Sequence, residues 1–190
     1  MNKIIRKIQY SEKVYRFDVE APLIAKSRKA GNFVIIRVDA NSERMPLTIA
    51  DADIEKGTIT LVVQKVGLSS TKLCNLNEGD EIHDVVGPLG NPTHIENFGT
   101  VLCAGGGVGV APMLPIIKAL KAAGNRVLSV IAGRSKDLVI MEDEVRASSD
   151  ELIIMTDDGS YGEKGVVTVG MEKLIQQEHI DKAFAIGPPI

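Results

Sequence analysis

Between Ala104 and Pro112 the chain reads AGGGVGVAP, with four glycines inside five consecutive residues. Side chains do no chemistry there. What such a stretch offers is bare backbone, able to take positive φ or to approach another group closely at a cost in chain entropy. Placed between a strand and a helix, its N–H groups and the helix dipole form a seat for a phosphate, the position a dinucleotide's pyrophosphate takes in a doubly wound sheet. A tight turn would need one glycine, not four. A Walker A loop requires Gly-Lys followed by Ser or Thr, whereas Gly109 is followed by Val110-Ala111, which disfavours ATP hydrolysis. The dinucleotide fingerprint G-x-G-x-x-G fits in part: Ala104 stands at its first glycine, and the next strand ends in Ala132-Gly133-Arg134, where a ribose-binding acid is expected.

A second group lies upstream. Arg44-Met45-Pro46-Leu47-Thr48 combines a cation, a rigid proline and a hydroxyl, and Gly67-Leu68-Ser69-Ser70-Thr71 opens a short helical segment. Together they can hold a second phosphate-bearing ligand; singly, Arg44 reads equally as a surface charge and Ser69 or Ser70 as a helix cap. Other chemistry is thin. His83, His94 and His179 are scattered, no G-x-S-x-G elbow or paired-His motif occurs, and Glu142-Asp143-Glu144 and Asp157-Asp158 read as solvated faces before they read as a cation site. Cys74 and Cys103 form no C-x-x-C pair, so neither a disulfide framework nor a closed metal site is expected in this chain.

The elements that must carry these groups fall into two halves. Up to about Glu96, short strands are expected at Val14–Glu20, Phe33–Val38, Thr58–Val63 and Glu81–Val86, with one helical piece at Ser70–Leu76; this reads as an antiparallel barrel or sandwich. Beyond it, strands at Thr100–Ala104, Arg126–Ala132, Glu151–Thr156 and Lys182–Ile186 alternate with helices at Pro112–Ala123, Leu138–Ala147 and Val166–Glu178, the order of a parallel, doubly wound α/β sheet. Two domains are expected, 1–97 and 98–190. The last strand runs into Gly187-Pro188-Pro189-Ile190 where a covering helix would follow, so a truncated chain or a disordered tail is expected.

Composition agrees with this. The 190 residues carry a net charge of −3 with dispersed basic groups, which argues against a nucleic-acid partner. No signal peptide is visible, and the cytosol is the default compartment. Residues 98–117 are uncharged and nominally long enough to span a bilayer, but their glycines and prolines argue against a membrane helix.

Taken in order, RMPLTIAD (44–51), VVQKVGLSSTKL (62–73), VVGPLGNP (85–92), LCAGGGVGVAPMLP (102–115), AGRSKDLVIMEDE (132–144), TDDGSYGEKG (156–165) and AIGPP (185–189) resemble the ferredoxin–NADP⁺ reductase superfamily over nearly the whole chain. Within it the likeness is greatest to the small FAD-containing subunits of NADH-dependent ferredoxin–NADP⁺ oxidoreductases and to dihydroorotate dehydrogenase electron-transfer subunits. The resemblance implies a β-barrel FAD domain followed by an NAD(P)-binding domain. It places Arg44 on the FAD phosphates, Pro46, Leu47 and Thr48 along the isoalloxazine edge with the Thr48 hydroxyl near N5, Val62, Val63 and Gln64 beside the flavin, and Gly67, Ser69 and Ser70 around the pyrophosphate. Gly105, Gly106, Gly107, Val108, Gly109, Ala111 and Pro112 would receive the nicotinamide dinucleotide. Gly133, Arg134, Asp157, Asp158, Gly159, Ser160 and Tyr161 would add contacts, and Gly187-Pro188 would close over the nicotinamide.

Two departures stand out. Many relatives have a cysteine just before the final Gly-Pro, where this chain has Ala185-Ile186. Related small subunits also carry a carboxyl-terminal cysteine cluster for a [2Fe–2S] centre, which two cysteines cannot supply here. The implied activity is hydride exchange between NAD(P)H and FAD, with electrons passed to or from ferredoxin or a larger iron–sulfur or flavin subunit. For the nucleotide, NAD(H) or NADP(H), the residues divide, since Arg134 and Lys136 would admit a 2′-phosphate and Glu163 would repel one; the resemblance to NAD-linked small subunits favours NADH. The alternatives are a nucleotide-sensing or assembly module that does not turn over, and a reductase of free flavin.

Overall fold

The structure, a computed structural model, describes residues 2–188. Pro189 and Ile190, the end of the expected tail, lie outside the described residues. The chain divides into two compact units, Met1–Thr93 and His94–Ile190.

The first unit is an antiparallel sheet of seven strands: β1 (Asn2–Gln9), β2 (Val14–Glu20), β3 (Phe33–Arg37), β4 (Met45–Asp53), β5 (Thr58–Gln64), β6 (Glu81–Ile82) and β7 (Asp84–Leu89). Their order is β6-β1-β2-β5-β4-β3-β7. Strands β6 and β7 sit at opposite ends of that order yet are separated in sequence by His83 alone, so the sheet must curl until its edges nearly meet. This is a near-closed barrel. The single strand expected at Glu81–Val86 is therefore two, because the chain changes edge at His83. Ile4, Phe17, Ile36, Ile49, Leu61 and Ile82 point inward and are almost wholly shielded from water; each contributes about 1.5–3 kcal/mol.

Two helices accompany the barrel. α1 (Pro22–Ser27) corrects the expectation of a single helical piece. It starts on a proline whose missing N–H costs nothing at that position and buries Ile24 and Ala25. Its six residues are too few to show a helical period, and Leu23 is exposed. α2 (Leu68–Cys74) begins two residues before the expected Ser70 and places Leu73 and Cys74 in the barrel core.

In the second unit, β8 (Thr100–Gly106), β9 (Arg126–Gly133), β10 (Glu151–Thr156), β11 (Glu163–Lys164) and β12 (Lys182–Ile186) form a parallel sheet in the order β11-β10-β9-β8-β12. Helices α3 (Val110–Ala122) and α4 (Glu142–Ser148) pack together on one face, and α5 (Val167–Gln177) covers the other. Burial on both faces is why β8 and β9 read as largely apolar runs, the buried Ser129 of β9 being paired with Ser149. The uncharged stretch 98–117 is divided between β8 and α3, and among the described residues no helix is long and apolar enough to cross a membrane.

Candidate functional site

In the barrel, β4 and β5 pair from Asp53 against Thr58 up to Ile49 against Leu61, and there the ladder stops. Beyond that rung Met45, Pro46, Leu47 and Thr48 pair only with β3, and Val62, Val63 and Gln64 only with β2. The strands part. A cleft of about 400 Å³ opens at the parting, lined by Arg44, Pro46, Leu47, Val63, Gln64, Gly67, Ser69 and Ser70 of the expected residues. Glu43, Met45, Val66 and Leu68 join them.

Side-chain direction refines the roles. Met45 and Leu47 pack against the barrel core, and Val63 lies within it with 1% of its surface exposed, so Val63 meets the cleft through its backbone. Alternation along a strand then puts Pro46 and Thr48 on the outer face of β4, and Val62 and Gln64 on that of β5. Thr48 and Val62 stand just beyond the cleft lining, next to the last paired rung.

The end of the cleft is the turn into α2. Ser70 is buried, and its Oγ accepts from the N–H groups of Val66 (3.0 Å) and Gly67 (2.9 Å) while donating to the Gly67 carbonyl (3.0 Å). That hydroxyl is fully used inside the protein, so Ser70 shapes the loop and offers a ligand only its N–H. The first N–H groups of a helix have no intrahelical acceptor. Gly67 has φ −144°, which any residue adopts, and a Cβ there would meet nothing within 4 Å. Neither conformation nor packing asks for glycine at this position; the free space above it suits a ligand pressed against the backbone. The parted strands add a flat slot edged by backbone donors and acceptors, and Arg44 is exposed with no ion-pair partner among the described residues. This donor set fits FAD.

The position of α2 is fixed from below. Lys72 on α2 binds the Asp39 carboxylate at 3.0 Å and holds it, together with a hydrogen bond from Ser42, well below the usual carboxylate range, at about 2. At its far end, Lys7 Nζ donates to the carbonyls of Cys74 (2.7 Å) and Leu76 (2.6 Å).

In the second unit the glycine loop forms the carboxyl end of β8, a 3₁₀ turn over Gly107–Gly109, and the start of α3. Its glycines have different reasons. A Cβ on Gly105 would meet Val110 Cα at 2.9 Å, and one on Gly109 would run into the Ile186 carbonyl, so these two serve internal packing. Gly107 has φ +54°, the left-handed region, and faces open space. Gly106 has Gly187 and Pro188 as its nearest neighbours, which brings the final Gly-Pro beside the loop. Ala111 is buried; Val108 and Pro112 are half-buried.

The neighbouring strand ends are laced together. Asp157 N–H donates to the Gly133 carbonyl (3.1 Å) and Asp158 N–H to that of Arg134 (3.2 Å). Ser160 Oγ accepts from Lys136 N–H at 2.9 Å and donates to Asp158 at 2.6 Å, which lowers the Asp158 pKa. Gly159 turns the loop with φ +76°. Tyr161 donates to Glu142 (3.1 Å), whose carboxylate raises the phenol pKa, and Lys136 Nζ lies 5.3 Å from the ring centre. Arg134 and Asp157 are exposed. Among the described residues no group of three or more His, Cys, Asp or Glu is gathered to hold a metal ion.

Glu43, Met45, Val66 and Leu68 are the lining residues that sequence reasoning missed, and Val66 and Leu68 are the two it could have found. They flank Gly67 and are 78% and 76% exposed; two large apolar residues around a glycine at a turn were the available signal.

No family model matches the chain. It is 48% identical over 190 residues to a dihydroorotate dehydrogenase B (NAD(+)) electron transfer subunit homolog of Thermotoga maritima, covering all of this chain and 67% of the relative. It is 31% identical over 189 residues to the dihydroorotate dehydrogenase B (NAD(+)) electron transfer subunit of Fusobacterium nucleatum subsp. nucleatum, covering 95% and 72%. Among solved structures, that of an NADH-dependent reduced ferredoxin-NADP oxidoreductase, studied for flavin-based electron bifurcation, superposes with a TM-score of 0.94 at 44% identity, covering 99% of this chain and 68% of that one.

Proposed function

We propose, for a chain that belongs to the dihydroorotate dehydrogenase B electron-transfer subunit family within the ferredoxin reductase-like superfamily, that it is the flavin-bearing subunit of a cytoplasmic oxidoreductase that takes electrons from NADH. The observation that carries this reading is the parting of β4 and β5 beside the open face of Gly67. When bound, FAD supplies a two-electron acceptor for the nicotinamide hydride and can release those electrons singly to a one-electron carrier.

The chain's own residues bind and orient. Arg44 neutralises phosphate charge with a forked guanidinium, and the N–H groups at Ser69 and Ser70 take a pyrophosphate oxygen. Pro46 and Leu47 border the ring edge, Thr48 turns its hydroxyl to the reacting side, and Val62, Val63 and Gln64 form the opposite wall. No strong acid or base is needed for hydride exchange between a nicotinamide and a flavin, so the role of the chain's residues is to bind and orient. In the second unit Gly107, with Val108, gives a dinucleotide close access to backbone, and Gly106 seats the final Gly-Pro beside them. Arg134 and Asp157 stand at the adenosine end, and Gly187-Pro188 border the nicotinamide. The electron partner is an iron–sulfur or flavin subunit, or ferredoxin.

Purified protein tests this. A flavin absorbance spectrum that stays with the protein through gel filtration supports a resident cofactor and excludes a reductase of free flavin. A colourless protein that does not take up FAD overturns the reading.

A further inference from the structure

Among the described residues two asparagines are buried, Asn32 and Asn125. They hold opposite ends of one segment, residues 90–98, which leads from β7 of the first unit to β8 of the second. Asn32 Nδ2 donates to the carbonyls of Leu89 (3.2 Å) and Gly90 (3.0 Å), and its Oδ1 accepts from Lys29 N–H (2.8 Å), which folds 29–32 into a turn. That turn takes a second hold on the segment. The Ala30 carbonyl accepts from Thr93 N–H at 2.9 Å, and Gly31, at φ +89°, lies so close to Thr93 that a Cβ would collide with it. In the second unit Asn125 Oδ1 accepts from Phe98 N–H (2.7 Å), and its Nδ2 donates to the carbonyls of Glu96 and Leu120, both at 2.8 Å.

A buried amide needs partners for its oxygen and its nitrogen, and both asparagines find them on backbone at an end of this segment. The side chains supply hydrogen bonds that a strand or helix would otherwise give its own backbone. Between Thr93, the last residue tied to the first unit, and Glu96, the first tied to the second, stand only His94 and Ile95. Among the described residues neither makes a backbone hydrogen bond. The tether from Thr93 to Glu96 therefore spans at most about 11 Å. Neither asparagine lines the flavin cleft or belongs to the glycine loop.

We propose that Asn32 and Asn125 are positioning residues for hydride exchange. By clamping both ends of the segment they keep the tether short, so the nicotinamide carried by the second unit meets the flavin carried by the first at high effective concentration. The proposal rests on the reading that places FAD in the first unit and the dinucleotide in the second. Effective concentration falls roughly as the −3/2 power of tether length, and the exchange rate follows how often the two rings reach reacting geometry.

The test lengthens the tether without touching either anchor. A six-residue Gly/Ser insert between His94 and Ile95 takes the untied span from two residues to eight, and Asn32→Ser or Asn125→Ser extends it to about five. With NADH saturating, the first-order rate of flavin bleaching should fall about eightfold in the insert and about fourfold in each asparagine variant. FAD and NADH affinities should stay at the wild-type level. In flavin-free protein, hydrogen exchange followed by NMR should find the Phe98 N–H protected in wild type and insert, and unprotected in Asn125→Ser. An insert that reduces its flavin at the wild-type rate would overturn the proposal, because the tether would not govern the encounter. A loss of FAD or NADH affinity as large as the loss of rate would overturn it too. Should an asparagine variant unfold, the insert decides alone, since it leaves both cores intact. Wild-type protein that binds no flavin refutes the flavin reading instead. Phe98 protection that vanishes in Asn125→Ser would then still support the anchor, and unchanged protection would remove it.

Discussion

Ile49 faces Leu61 as the last paired rung between β4 and β5, and both are buried in the barrel core. Everything in the cleft depends on the strands separating past that rung. The core fixes where pairing ends; the turn at Gly67 fixes how far the cleft extends.

Gly67 makes no demand on the fold, so Gly67→Val should leave the unfolding free energy within about 0.5 kcal/mol of wild type. A branched side chain would nevertheless fill the space above the backbone. FAD affinity should fall about tenfold or more, as read by flavin fluorescence alongside thermal unfolding. Unchanged affinity would contradict the placement of the pyrophosphate.

The glycine loop predicts two opposite outcomes. Gly109→Val drives atoms into the Ile186 carbonyl and should destabilise the second unit by about 1–3 kcal/mol. Gly107→Leu meets no neighbour and costs the fold about 1–2 kcal/mol for its left-handed backbone. It should raise the KM for NADH while flavin content stays the same. Steady-state kinetics with bound-flavin quantitation separates the two.

Much of this was legible in the chain. Val14–Glu20, Glu151–Thr156 and Lys182–Ile186 form as expected because alternation, or a short apolar run between breakers, leaves a strand few alternatives. β1 was hidden because Lys3, Arg6 and Lys7 interrupt its apolar residues, and β4 because a proline opens it. That proline is tolerated where β4 has lost its β5 neighbour, a tertiary circumstance that no local pattern reveals. The same holds for the glycines: composition marks the loop, but only contacts separate Gly105 and Gly109, which pack, and Gly106, which lies buried beside Gly187 and Pro188, from Gly107, which faces open space. From its type Ser70 reads either as a phosphate contact or as a helix cap, and its hydroxyl, turned inward onto the Val66 and Gly67 N–H groups, takes the second role.

Acid should act on α2. The Asp39 carboxyl, held at about 2 by Lys72 and Ser42 against an ordinary 3.8, favours the folded arrangement above its unfolded value and ceases to do so as pH falls through the folded one. Between about pH 4 and pH 2 the tie from Asp39 to Lys72 is therefore lost. FAD affinity of the wild type should decline across that window, and Asp39→Asn should bind more weakly at pH 5 with a shallower decline. Identical profiles would show that this pair does not hold α2 in place.

Both cysteines should be inert. Burial pushes the Cys103 thiol up to about 12 and raises Cys74 as well, and a thiol that stays protonated is a poor nucleophile. Iodoacetamide at pH 8 should modify neither in the native protein, read by intact mass, and both after denaturation. Rapid loss of activity on alkylation would place a thiol in the mechanism.

Anaerobic titration of the flavin-loaded protein with NADH, and separately with NADPH, tests the central claim most directly. Bleaching of the flavin absorbance by one equivalent of NADH, with NADPH much less effective, is the expected result. A flavin that remains oxidised under both nucleotides would contradict the assignment of this chain to electron transfer from a nicotinamide.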